Sequence, residues 1–106
     1  MAEQSIDDLM ASSANVTEGL NRLKAYEQTP GFIPGSTDAY AKAGLVRAEL
    51  DRFRDVEKIY LAGKVFHQLP PQESKQLLDI RKPVEDAGMY LYTAYPTTQE
   101  LFDLID

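Results

Sequence analysis

The chain has one histidine, His67, and imidazole is the side chain best suited to moving protons near neutral pH. Catalysis would need a nucleophile or a carboxylate brought to it. Its neighbours, Val65-Phe66 and Gln68-Leu69, supply neither. Carboxylates are numerous but scattered. Asp7-Asp8 and Glu85-Asp86 are adjacent pairs, yet neighbours on a helix point about 100° apart and do not converge on one proton or one metal. No alternating Asp/Asn ladder followed by glycine builds a calcium loop. The stretches Pro30–Gly35 and Ala62–Phe66 lack the glycine spacing and the Lys-Ser/Thr of a phosphate loop. Ser12-Ser13 has no nucleophile-elbow context. There is no cysteine, which removes disulfides, thiolate metal sites and thiol nucleophiles. The residues therefore point to a non-enzymatic protein with no cofactor and no metal.

What stands out instead is aromatic. The stretch Gly88-Met89-Tyr90-Leu91-Tyr92-Thr93-Ala94-Tyr95-Pro96 places three of the six tyrosines within six residues. Tyrosine suits interfaces because it offers a large contact area at little entropic cost and carries a polar tip. As a strand this segment would be apolar on both faces, and no second strand candidate exists to pair with it. As a helix, Leu91 and Tyr95 extend a core stripe made by Leu77, Ile80, Val84 and Ala87. Tyr90 and Tyr92 then fall about 100° to either side of Leu91, so at most one of them shares the edge of that core. The other is expected to be exposed with Met89 near it. Tyr90, Tyr92 and Met89 are the candidate partner-binding residues, together with Phe102 from the amphipathic segment Leu101-Phe102-Asp103-Leu104-Ile105-Asp106.

The elements that must position these residues read as helices. Ile6, Leu9, Val16, Leu20 and Leu23 recur at three- and four-residue steps, with Ser13 in the missing place. Ser5 suits the N-cap, and Asn15 with Glu18 could restart the helix, so residues 5–28 are one helix or two in line. Two prolines and two glycines make residues 29–37 a loop, with Phe32 and Ile33 expected at the core edge and Ser36, Thr37 or Asp38 as the next cap. The longest helix is expected over residues 38–68, on the stripe Val46, Leu50, Phe53, Val56 and Tyr60, widened by Leu45, Ile59 and Leu61. Asp51 with Arg54 is its favourable ion pair and Arg54 with Lys58 a repulsive one. Pro71 suits the first residue of a following helix. Pro83 interrupts the next stripe, which predicts two nearly collinear segments meeting at Arg81–Pro83. Thr97 with Glu100 is a capping-box pattern for a short last helix. The expected fold is all-α: one domain, 1–106, a compact antiparallel bundle of four to five helices around one long central helix.

Acidic residues outnumber basic ones 17 to 11, for a net charge of −6. Binding to nucleic acid or to an anionic membrane draws on basic side chains, so the balance argues against both. It suits solubility, and it suits docking onto a protein partner that could itself be basic. No apolar run reaches membrane-spanning length, and the acidic start Met1–Asp8 lacks the basic and apolar regions of a signal peptide, so a cytoplasmic location is expected. In size, charge and helical content the chain resembles bacterial immunity proteins, antitoxins and phage-encoded inhibitors; no residue motif carries the likeness. The absence of catalytic chemistry, the acidic balance and more tyrosine than one helix face can bury lead to the expectation of a protein that neutralises or regulates a protein partner, of the bacterial or phage immunity or inhibitor type. The alternative is a bacterial or phage assembly subunit that self-associates as a homo-oligomer through its apolar faces.

Overall fold

A computed structural model describes residues 5–95, the side chain of Phe66 excepted. Three α-helices account for most of them: α1 (Ile6–Glu27), α2 (Thr37–Gly63) and α3 (Pro71–Ala94), with a single 3₁₀ turn, Phe66–Gln68, before α3. The all-α class holds. The expected count of four to five helices does not: three are found among the described residues, where the break expected at Pro83 and the one left open at Asn15 are both absent. The predicted last helix and Phe102 lie outside the described residues.

The first absent interruption is at Asn15. The helix α1 runs unbroken through Ser12-Ser13-Ala14-Asn15, since both serines are buried against the neighbouring helices and tertiary packing outweighs their weak helix propensity. Its start is a full capping box: the Ser5 hydroxyl accepts from the Asp8 N–H and the Asp8 carboxylate accepts from the Ser5 N–H.

The loop that follows turns on Gly31 and Gly35, whose φ values of 88° and 79° lie where a side chain is strained. Phe32 packs edge-on against Tyr26, centroids 5.3 Å apart. Ile33, expected at the core edge beside it, is instead 66% exposed, because the turn points consecutive side chains apart. Ser36 then caps α2 through the Ala39 N–H.

The long helix stops at Gly63 rather than at residue 68. Lys64 is extended, with φ of −127°. Leu69 is buried, and Pro70 disfavours a helical residue before it, so the chain leaves the helix early to carry Leu69 inward. The corner is tied by Glu73, which accepts from the Tyr60 hydroxyl at 2.6 Å and lies 3.4 Å from Lys64 Nζ. Pro71 opens α3 as its first residue.

The second absent interruption is at Pro83, which sits inside one continuous helix, α3. This overturns the expected pair of segments. A proline removes the bond to the carbonyl four residues before it, here Asp79; Asp79 and Pro83 are both exposed, so water can serve that carbonyl. On the buried side, Ser13 of α1 donates its hydroxyl to the Ile80 carbonyl at 3.3 Å. The same bond fixes how α1 and α3 lie together.

The helices run up, down and up. Ser13 meets Ile80 and Glu27 meets Tyr90, so α1 and α3 are parallel, while Lys42 at the start of α2 lies over Tyr26 near the end of α1. Leu9, Val16, Leu23, Val46, Leu50, Phe53, Tyr60, Leu77, Ile80, Val84, Ala87, Leu91 and Tyr95 form the core. Val56 and Leu61 pack at its edge, but Leu45 and Ile59 are exposed and do not widen the α2 stripe. The helix α1 packs against both others. The helices α2 and α3 touch each other least, which leaves a groove between them.

Candidate interaction surface

The last two turns of α3 divide their tyrosines between two environments. Tyr90 is half-buried and its hydroxyl donates to a carboxylate oxygen of Glu27 at the end of α1. Tyr95 is buried, and its hydroxyl donates to the other Glu27 oxygen at 2.8 Å. Lys24 lies 4.9 Å above the Tyr90 ring, and Tyr40 meets Tyr95 edge-on at 6.1 Å. Burial, with the Glu27 carboxylate alongside, pushes both phenols well above the usual tyrosine range. One carboxylate thus ties the end of α3 to the end of α1, and Tyr90 belongs to that tie.

Tyr92 is 65% exposed and Met89 is also 65% exposed. They share the outward side of α3, away from Tyr90. Leu78, 64% exposed, continues the same stripe: from Leu78 the steps to Glu85, Met89 and Tyr92 are seven, four and three residues, which keep side chains on one helix face. The structure therefore brings Met89 and Tyr92 together and separates Tyr90 from them.

Beside this stripe runs the groove between α2 and α3, about 680 Å³ in volume. Its floor is Leu50, Phe53 and Val84. Arg47, Arg54 and Glu57 line the α2 side, and Arg81, Glu85, Gly88, Met89 and Tyr92 the α3 side. Arg81 Nε lies 3.1 Å from Glu85 Oε1 and 3.4 Å from Glu57 Oε2. Arg54 and Arg47 reach Asp51 at 3.7 and 4.0 Å; the expected Asp51–Arg54 pair is formed. The rim carries both signs of charge around an apolar floor, and such a groove with an aromatic and a methionine at its edge is a common form of helix-docking site.

Gly88 is the informative residue of this groove. A Cβ placed on it meets nothing within 4 Å, so packing within the chain does not require glycine there. A glycine inside a helix costs roughly 0.5–1 kcal/mol relative to alanine. Gly19 of α1 is different, with Val46 Cγ2 at 3.5 Å from its Cβ position. A second groove, about 800 Å³, lies between α1 and α2 beside Gly19. Leu45 is its one strongly exposed apolar edge, whereas α3 presents three such side chains in one line.

His67 lies in the 3₁₀ turn and is exposed. Among the described residues no three His, Asp or Glu side chains gather in a way that could hold a metal ion, and no helix is long and apolar enough to cross a membrane. Tyr60 has its phenol pushed up to about 12, by burial first and then by its bond to Glu73; the pair closes a corner of the fold. Leu78 and Gly88 were missed in the sequence. The signal was present: Leu78 stands two heptads before Tyr92, and Gly88 sits in the middle of a helical stripe.

Comparison with protein-family models, with curated proteins and with solved structures finds no match to this chain.

Proposed function

We propose that this protein is a non-enzymatic binding module that docks onto a polypeptide through the outward side of α3 and the adjoining α2–α3 groove. The observation that carries this reading is the line of Leu78, Met89 and Tyr92, each about two-thirds exposed, beside a helix glycine that no internal contact demands. Exposed apolar residues scattered singly need no explanation, but Met89 and Tyr92 stand one turn apart at the lip of the groove, and Leu78 lies further along the same helix face. Methionine adapts to a partner's shape and tyrosine anchors it. The small size and acidic balance fit a protein that neutralises or regulates its partner, as inhibitor and immunity proteins do, and the both-sign rim gives such a docking event its register.

Installing a photo-crosslinking side chain at Met89, with Lys58 on exposed α2 as the control site, tests this in the native host. The expected result is a discrete polypeptide adduct from position 89 and none from position 58. No adduct from either, or the same smear from both, overturns the reading. A second reading, self-association, is favoured by the spacing of residues along α3.

A further inference from the structure

We infer that the occupant of this surface is a second copy of the same chain, paired through two antiparallel α3 helices about a twofold axis. The inference rests on the docking reading of α3 and names its partner. An isologous contact needs a surface complementary to itself, residue i meeting j and j meeting i. The exposed stripe of α3 meets that condition twice with one axis. Leu78 is a protruding apolar side chain, and Glu85, Gly88, Met89 and Tyr92 are the four residues, at i, i+3, i+4 and i+7, that frame a hole on a helix surface. Gly88 leaves that hole open, since nothing occupies the space where its Cβ would be. Placing Leu78 of one copy against Gly88 of the other fixes the axis midway between these positions. The same point is midway between Arg81 and Glu85. The axis that seats the knob therefore also sets Arg81 of each copy against Glu85 of the other.

Both charged residues are accessible for this, the Arg81 side chain being 43% and the Glu85 side chain 64% exposed. They already lie within 3.1 Å of each other on one helix, and a guanidinium has donors enough to face two carboxylates at once. The net charge of −6 on each copy does not forbid the pairing. At physiological ionic strength charges beyond about 8 Å are largely screened, so the opposed pairs at the contact outweigh the distant excess.

Charge exchange separates this arrangement from any other apolar contact. Glu85→Arg alone places arginine against arginine twice across the axis, and Arg81→Glu alone places glutamate against glutamate twice. Mixed together, every facing pair is opposite in sign. Sedimentation of the full chain is expected to give a dimer for the native protein, a monomer for each variant alone and a mixed dimer when they are combined. Circular dichroism melting of each variant shows whether it is folded. Because Arg81→Glu also removes the partner of Glu57, Gly88→Leu serves as an independent variant: it fills the hole, favours the helix and is expected to weaken the dimer at least tenfold. A native chain that is monomeric at its highest soluble concentration overturns the inference, as does a dimer indifferent to both Glu85→Arg and Gly88→Leu. In either case an adduct to a different polypeptide from position 89 leaves the broader docking reading standing.

Discussion

Tyr60, Glu73, Tyr90 and Tyr95 are where single protons couple to the fold. Tyr60 is pushed up to about 12, and Tyr90 and Tyr95 are raised further, mainly by burial and then by the carboxylate each one meets. An ordinary tyrosine ionises near 10. Neutral phenol is thus favoured in the folded chain, and the stabilisation it brings is complete below pH of about 10. It is lost as pH rises through the folded values. Glu73 has the opposite sign. The Tyr60 hydroxyl first, and Lys64 second, hold its carboxyl below the ordinary value of 4.5, so its contribution is present above that value and fades as pH falls through the folded one. Alkaline titration followed by tyrosinate absorbance and circular dichroism is expected to show these three phenols ionising only as helix signal disappears. Their ionisation near pH 10 with the helices intact would contradict the assignment. Tyr90 and Tyr92 could be told apart in the sequence by angle alone. Which one would be buried could not, because that depends on Glu27, 63 residues away.

At the scale of elements, the apolar stripes were legible and the interruptions were not. The α3 stripe Leu77, Ile80, Val84, Ala87, Leu91 and Tyr95 is buried throughout, as a strict three-four alternation implies. Pro83 argued locally for a break, but the carbonyl it orphans, that of Asp79, is exposed to water, while the continuous buried stripe and the Ser13 hydroxyl on the Ile80 carbonyl hold α3 against α1 on the other side. No reading of residues 71–94 alone contains that information. Likewise α2 ends at Gly63 because Leu69 must be buried, a demand set by the core and not by residues 64–68. Two variants probe these two features separately. Ser13→Ala should lower stability by about 0.5–1.5 kcal/mol, the usual net worth of one hydrogen bond. Pro83→Ala should raise it, by up to about 3 kcal/mol if the full interior cost of proline is recovered. Denaturant melts of both variants and of the double variant check this. A Pro83→Ala variant less stable than the parent would mean that the proline fits its site without cost.

For the molecule as a whole, α1 packs on both partners while α2 and α3 touch each other least, and the α2–α3 side carries the apolar-floored groove edged by Met89 and Tyr92. Recognition on that side, as proposed, separates residues that hold the fold from residues that meet a partner, even where they are adjacent in sequence. Leu91 is fully buried and Tyr92 is 65% exposed. Truncating Leu91 to alanine removes packed core volume and should cost about 2–5 kcal/mol. Truncating Tyr92 removes a largely exposed side chain and should change stability by no more than about 0.5 kcal/mol, while a central interface tyrosine commonly contributes more than about 1–2 kcal/mol to binding. The most direct measurement is therefore a paired one on the full chain: the melting temperature of Tyr92→Ala beside that of Leu91→Ala, and the strength of the complex, with another polypeptide or with a second copy, formed by Tyr92→Ala and by the native chain. Under the docking proposal, Tyr92→Ala is expected to melt with the native protein and to lose at least tenfold in association, while Leu91→Ala melts early. A Tyr92→Ala protein that unfolds as readily as Leu91→Ala, or that associates as tightly as the native chain, would contradict it.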